Sequence, residues 1–294
     1  MKLIDGKLIA AKIKHELAEE VIKIIDAGGE APHLAAILVG EDAASQSYVR
    51  GKEKACHEVG FTSSVYRYPA TITEKKLLEA VDFLNADEQV NGFIVQLPLP
   101  VHISANKIIE RINPLKDVDG FHPLNVGKMA LHLPTYLPAT PYGIIQLLER
   151  SGIETEGKHC VILGRSNIVG TPLSLLLSRK ANPGNCTVTV CHSKSKNIKE
   201  IAAEADILIA AIGQQGFVTA DMVKDGAVVI DVGIHRIVSA SSPTGFKMVG
   251  DVDFDKVAPK CSFITPVPGG VGPMTIVALL QNTFKAYLGE FLPK

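Results

Sequence analysis

Tyr48 and Lys52 stand four residues apart, so on a helix they share one face at a Cβ separation of about 5–6 Å. A lysine aimed into a cleft loses hydration of its ammonium, its pKa falls, and it can exchange protons near neutral pH. A solvated lysine beside a half-buried tyrosine has the same spacing. Gln96 ends the apolar run Gly92-Phe93-Ile94-Val95, and Leu97-Pro98-Leu99-Pro100 then holds the backbone in a fixed path. Further on, Lys116-Asp117-Val118-Asp119-Gly120-Phe121 sets two carboxylates in one turn, a pattern that simple turn chemistry also produces. A different chemistry attaches to Gly164-Arg165-Ser166-Asn167-Ile168-Val169-Gly170. A strand that turns at glycine and opens a helix leaves backbone N–H groups free to stabilise a phosphate. Arg165 and Ser166 add a guanidinium and a hydroxyl, both anion-binding groups. The spacing is not Gly-x-Gly-x-x-Gly, and an ordinary strand–helix turn uses glycine in the same way.

These groups need a scaffold, and its outline lies in the periodicity. Leu8 to Ile25 places apolar residues at helical spacing and should stop at Gly28-Gly29. Residues 34–39, 64–68 and 92–97 read as strands, separated by helical stretches over 42–59 and 73–85. Thr73 offers half a capping box, with Lys76 where Glu would complete it. Strands alternating with helices imply parallel βαβ units, whose carboxyl edge is the usual ligand site. Gln96 and the paired aspartates fall at that edge. From Leu133 the chain loosens into a proline-rich junction, and Thr140-Pro141 opens a helix over 142–150. Residues 161–163, 187–191, 206–213 and 227–233 read as buried strands, with a helical run over 173–177. The stretch Thr265 to Thr275 is so rich in Gly and Pro that it implies close backbone approach. A helix over 276–288 follows, expected to return to the first domain. The expected fold class is α/β: residues 1–138 and 274–294 in one domain, residues 139–273 in a Rossmann-like parallel sheet, and a cleft between them.

The loop after residues 187–191 bears on the nucleotide. A site for NAD places Asp or Glu there, against the ribose 2′-hydroxyl. This chain has His192, Ser193, Lys194, Ser195 and Lys196 and no carboxylate. With Arg165 and Ser166 these suit an extra phosphate, hence NADP, although a solvated loop would have the same composition. A formal net charge of -1 offers no attraction for nucleic acid or an anionic membrane. Charges within Met1 to Lys7 interrupt the apolar core a signal peptide needs, and no apolar run reaches the length of a membrane span. The five cysteines have neither a Cys-x-x-Cys pair nor metal-ligand spacing, so reduced, buried thiols in a cytoplasmic protein without a metal are expected. With 46% hydrophobic and 21% charged residues, the chain has the balance of a globular enzyme with a full core.

Tyr-x-x-x-Lys is also the signature of short-chain dehydrogenases, but there the pair follows the nucleotide-binding turn. Here it precedes that turn by more than a hundred residues, which counts against that family. Taken together and in order, Tyr48-Val49-x-x-Lys52, Gln96-Leu97-Pro98-Leu99-Pro100, Lys116-Asp117-Val118-Asp119-Gly120, Gly164-Arg165-Ser166-x-Ile168-Val169-Gly170-x-Pro172 and Pro268-Gly269-Gly270-Val271-Gly272-Pro273-Met274-Thr275 point elsewhere. The chain resembles, over its whole length, the bifunctional methylenetetrahydrofolate dehydrogenase/methenyltetrahydrofolate cyclohydrolase family. It departs from many members at Ala139, often Cys, and at Ser195, often Thr; neither change removes a group the chemistry needs.

The resemblance implies two successive reactions of one-carbon metabolism, supplying purine biosynthesis, in one folate cleft. A hydride passes from 5,10-methylenetetrahydrofolate to NADP⁺, and water then opens the 5,10-methenyl cation to 10-formyltetrahydrofolate. It further implies that Lys52 is central to the hydrolytic step with Gln96 tuning it, that Tyr48 stacks on the folate, and that Asp119 hydrogen-bonds the pterin. Pro98, Pro268, Gly269, Gly272 and Thr275 would shape the folate site. Gly164, Arg165, Ser166, Ile168, Thr140, His192, Ser193, Gly213 and Ile234 would contact NADP. A cytoplasmic homodimer acting on tetrahydrofolate derivatives is also implied. One rival is a family member without cyclohydrolase activity, opposed by the presence of both Lys52 and Gln96. Another is a non-catalytic NADP sensor, which would have no use for Lys52, Gln96 and Asp119 together.

Overall fold

Short apolar runs alternating with amphipathic stretches build two compact units in the computed structural model, which describes residues 1–239 and 245–292. One unit, here the small-sheet unit, comprises residues 11–139 and 276–294; the large-sheet unit comprises residues 1–10 and 140–275. The chain opens with β1 (Lys2–Leu3), α1 (Gly6–Asp26), β2 (His33–Val39), α2 (Ala43–Glu58), β3 (Thr62–Tyr68), α3 (Glu74–Ala86) and β4 (Gly92–Val95). Next come α4 (Ala105–Arg111), α5 (Pro123–Ala130), α6 (Ala139–Arg150), β5 (His159–Leu163), α7 (Gly170–Ser178), β6 (Thr187–Cys191), α8 (Ile198–Ala203), β7 (Ile207–Ala210) and β8 (Val228–Asp231). The last elements are β9 (His235–Val238), β10 (Phe246–Val249), α9 (Phe254–Val257), β11 (Phe263–Ile264) and α10 (Val271–Tyr287).

Among the described residues the small sheet is parallel with strand order β3-β2-β4. Every residue of β4 is buried, as are all but the first of β2, and Ile37, Leu77, Val81 and Phe93 meet in one core cluster. Thr73, read as half a capping box, caps α3 by accepting the Lys76 N–H at 3.3 Å, and Asp42 caps α2 by accepting the Ser45 N–H at 2.7 Å. A bridge from Phe93 to Asp117 continues the pairing at β4, which lays the aspartate turn beside the strand that leads to Gln96.

The large sheet runs β1-β11-β8-β7-β5-β6 with every pairing parallel. Its edge corrects the expected division. Residues 1–10 were expected with the first domain, yet β1 pairs with β11, Lys2 opposite Phe263 and Leu3 opposite Ile264. The Ile4 N–H donates to the Ile264 carbonyl at 2.9 Å. Two residues have no periodicity to read, so only the vacant edge of the distant sheet decides where they pair. The antiparallel β9–β10 hairpin and the short helices α4 and α5 also lay outside the sequence reading. All five cysteines are buried and free, and burial pushes the thiols of Cys56, Cys186 and Cys261 up to about 12, 11 and 11. Among the described residues no helix is long and apolar enough to cross a membrane.

Candidate active site

Tyr48 and Lys52 lie on α2, one turn apart as their spacing requires. Lys52 Nζ donates to Gln96 Oε1 at 3.1 Å, and Gln96 Nε2 donates to the Leu97 carbonyl at 2.7 Å. The amide is thereby held in one orientation, with its oxygen toward the amine. Lys52 and Gln96 remain partly accessible, Tyr48 is 41% exposed, and Pro98 is exposed. Burial lowers the Lys52 pKa, and the charge of Asp119 opposes that shift. Asp119 is pushed up to about 6 by burial, with Lys52 pulling down and Asp117 pushing up. The sequence reading had supplied no counter-charge for Lys52. The fold supplies one in Asp119.

The two aspartates of the turn have separate tasks. Asp117 is 1% exposed and collects donors: the Phe121 and His122 N–H groups at 3.3 and 2.7 Å, and Asn125 Nδ2 at 2.8 Å. Asn125 Oδ1 in turn accepts from the Thr135 hydroxyl at 2.8 Å. Asp119 takes none of these donors, and the charge of Lys52 acts on its carboxyl instead. From α10, Asn282 Nδ2 reaches the Val118 and Leu137 carbonyls, both at 2.8 Å, and so ties the turn to the segment before α6.

In the large-sheet unit β5 ends at Leu163 and the chain turns at Gly164, φ 124°. A Cβ at Gly164 would collide with the Ala211 carbonyl oxygen, and one at Gly170 with the Gly164 carbonyl oxygen. Both glycines are therefore required by close backbone packing between the strand end and α7. Val169, the N-cap residue of α7, makes no side-chain cap; Ser166 Oγ accepts the Val169 N–H at 3.2 Å and the Ser166 carbonyl the Thr171 N–H at 3.0 Å, while Arg165, Ser166 and Ile168 are exposed around it. At the end of β6, His192 N–H donates to Ser195 Oγ at 3.0 Å and Ser195 N–H to the His192 carbonyl at 2.8 Å. Ser195 thus closes the loop, and Ser193, Lys194 and Lys196 stay exposed. A helix N-terminus whose N-cap residue offers no side-chain cap, with a guanidinium, hydroxyls and ammonium groups nearby, fits a phosphate-bearing dinucleotide.

A family model described as tetrahydrofolate dehydrogenase/cyclohydrolase, catalytic domain, matches residues 4–119, and the NAD(P)-binding domain of the same family matches residues 138–291. The chain belongs to the tetrahydrofolate dehydrogenase/cyclohydrolase family. It is 61% identical to the bifunctional protein FolD of Cytophaga hutchinsonii over 97% of this chain and 99% of that one. Among solved structures, the bifunctional FolD enzyme of Campylobacter jejuni superposes with a TM-score of 0.92 at 48% identity, covering 99% of this chain and 100% of that one. The Trypanosoma brucei dehydrogenase-cyclohydrolase, described in complex with NADP cofactor and an inhibitor, has a TM-score of 0.92 at 39% identity, covering 99% and 98%. Membership in the tetrahydrofolate dehydrogenase/cyclohydrolase family makes the chain an enzyme and its large-sheet unit an NAD(P)-binding fold.

The residues expected from the resemblance fall into two groups. Lys52, Gln96 and Asp119 come together within the small-sheet unit, with Tyr48 on the same helix as Lys52. In the large-sheet unit, Thr140 and Thr275 hydroxyls lie 3.0 Å apart, Gly269 adopts φ 110°, and Pro268 and Gly272 are exposed. Gly213 and Ile234 are exposed on the loops that follow β7 and β8. Sequence reading missed Asn282 and Asp251. Asn282 lies 164 residues from Val118, which it holds, so no local pattern marks it. For Asp251 a signal existed: a carboxylate within the glycine-flanked Gly250-Asp251-Val252 segment, next to an apolar strand.

Proposed function

We propose that the enzyme oxidises 5,10-methylenetetrahydrofolate and then hydrolyses the 5,10-methenyl cation to 10-formyltetrahydrofolate, with the small-sheet unit holding the folate. The observation that carries this reading is the Lys52 amine, partly desolvated, hydrogen-bonded to a neutral amide and under the influence of the Asp119 charge. NADP⁺ supplies the hydride acceptor for the first reaction. Gly164, Arg165, Ser166 and Ser193 are suited to its phosphates. Ile168, Thr140, His192, Gly213 and Ile234 would complete that site.

Hydrolysis of the cation forms a carbon–oxygen bond to water, breaks the bond from that carbon to the ring nitrogen, and releases one net proton. A proton must leave the attacking water and another must reach the ring nitrogen. Lys52 in its neutral form takes the first, Gln96 holds the amine in place without adding charge, and Asp119 stabilises the ammonium that results. Asp119 also accepts hydrogen bonds from the pterin, Tyr48 stacks on it, and Pro98 shapes the site. The reading extends to a cytoplasmic homodimer. To test it, purified protein is mixed with NADP⁺ and methylenetetrahydrofolate, and NADPH and methenyl absorbance are followed separately. NADPH should accumulate while the methenyl signal stays low, because hydrolysis removes it. Absence of NADPH would overturn the reading, and a stable stoichiometric methenyl signal would remove the hydrolytic half.

A further inference from the structure

Asp251, just after β10, has no place in the chemistry described so far, yet its carboxylate is fully buried. Oδ2 accepts the N–H groups of Ile212 at 2.8 Å and Gly213 at 2.9 Å. Oδ1 lies 2.7 Å from His235 Nε2. One side chain therefore ties together the turn after β7 and the loop after β8, two neighbouring parallel strands of the large sheet. Its own backbone is held in turn: the Asp251 N–H donates to Asp231 Oδ1 at 2.9 Å, as does the Gly233 N–H at 2.9 Å, while Val252 N–H donates to Asp231 Oδ2 at 3.0 Å. The packing leaves no slack, because a Cβ at Gly233 would collide with Asp251 Oδ1. Both loops leave the carboxyl edge of the sheet, where open α/β folds bind dinucleotides, and both carry exposed residues there, Gly213 and Ile234.

We propose that Asp251 is a positioning residue of the dinucleotide site, fixing the turn at Ile212-Gly213 and the loop at Gly233-Ile234-His235 in the arrangement the cofactor needs. It touches no cofactor itself; charge-assisted hydrogen bonds accepted by its buried oxygens replace the freedom these loops would otherwise have. His235 is the second strut, since its imidazole connects the loop after β8 to the same carboxylate. The proposal rests on the reading of the large-sheet unit as an NADP site, and the experiment separates the two.

The test measures NADP⁺ binding by titration calorimetry, dehydrogenase kcat and KM for NADP⁺, and cyclohydrolase rate on methenyltetrahydrofolate, which consumes no dinucleotide. Asp251→Asn offers one acceptor oxygen where two are used. Its Kd and KM for NADP⁺ should rise about tenfold or more, with cyclohydrolase changed less than about twofold. His235→Gln can still donate to Asp251 and should stay close to the parent, whereas His235→Ala should weaken NADP⁺ binding several-fold. The His235 pair decides the matter if Asp251→Asn does not fold. Equal loss of both activities would mean that Asp251 serves general stability, and unchanged NADP⁺ binding in folded Asp251→Asn and His235→Ala would overturn the proposal. If the parent protein itself binds no NADP⁺, the cofactor reading fails first.

Discussion

In the large-sheet unit, Asp231 and Asp251 direct their carboxylate oxygens to backbone N–H groups of Gly233, Asp251, Val252, Ile212 and Gly213. In the small-sheet unit, Asp119 takes none of the donors that its neighbour Asp117 collects, and the charge acting on it is that of the Lys52 side chain. Burial pushes Asp231 and Asp119 up to about 6 alike, so the shift itself does not distinguish them. What differs is the compensation. Peptide dipoles at Asp231 are locked in position and cannot change charge, whereas the amine at Asp119 can gain or lose a proton. A carboxylate compensated by backbone holds the fold together; one compensated by a titratable side chain can respond to a substrate.

The widest separation between the two regions should come from Lys52→Met, which keeps much of the length and loses the proton. Cyclohydrolase is expected to fall roughly a hundredfold or more, the scale of general acid–base catalysis, while the dehydrogenase falls much less. Both rates measured on one preparation, with folding checked by thermal melt, decide it. Equal loss would make Lys52 a folate-positioning group.

Asp117→Ala tests the structural side of the comparison. It leaves the Phe121 and His122 N–H groups without their acceptor and takes from Asn125 Nδ2 one of its two, the Pro114 carbonyl remaining, and urea unfolding should register a loss of about 3 kcal/mol. A loss below about 0.5 kcal/mol would show that the network contributes little to folding.

Arg165→Ala should affect only the dinucleotide side. KM for NADP⁺ is expected to rise roughly ten- to a hundredfold, with little change for NAD⁺ and none in cyclohydrolase. Equal kcat/KM for the two dinucleotides in the parent enzyme would remove the NADP preference itself.

Asp119→Asn should have the smallest effect on stability and the most telling sign. Because the folded carboxyl titrates at about 6 instead of 3.8, its contribution to stability is present below 3.8 and lost as pH rises through about 6. A neutral amide avoids that loss, so the Tm of Asp119→Asn at pH 8 should equal or exceed that of the parent, while both activities weaken. Removing the anion also removes what raises the Lys52 pKa, so the rising limb of residual cyclohydrolase kcat should move to lower pH. A limb that stays in place would separate Asp119 from the proton exchange.

Periodicity and turn chemistry were enough to place β2, β4, β5, β6, α1 and α3, because each is decided by side chains within a few residues of one another. The same holds for the glycine turn at Gly164 and for the carboxylate-free loop after Cys191. Lys52 and Gln96 could each be singled out by type, but their 3.1 Å contact joins residues 44 apart and exists only once α2 packs on the small sheet. Two neighbouring aspartates with the same local composition could not be told apart until the fold surrounded Asp117 with donors and left Asp119 under the influence of an amine. The placement of residues 1–10 on the large sheet and the clamp from Asp251 to Ile212 and Gly213 were likewise decided in three dimensions. Local propensity is written along the chain; the partner of a buried charge is whatever a distant segment brings to it.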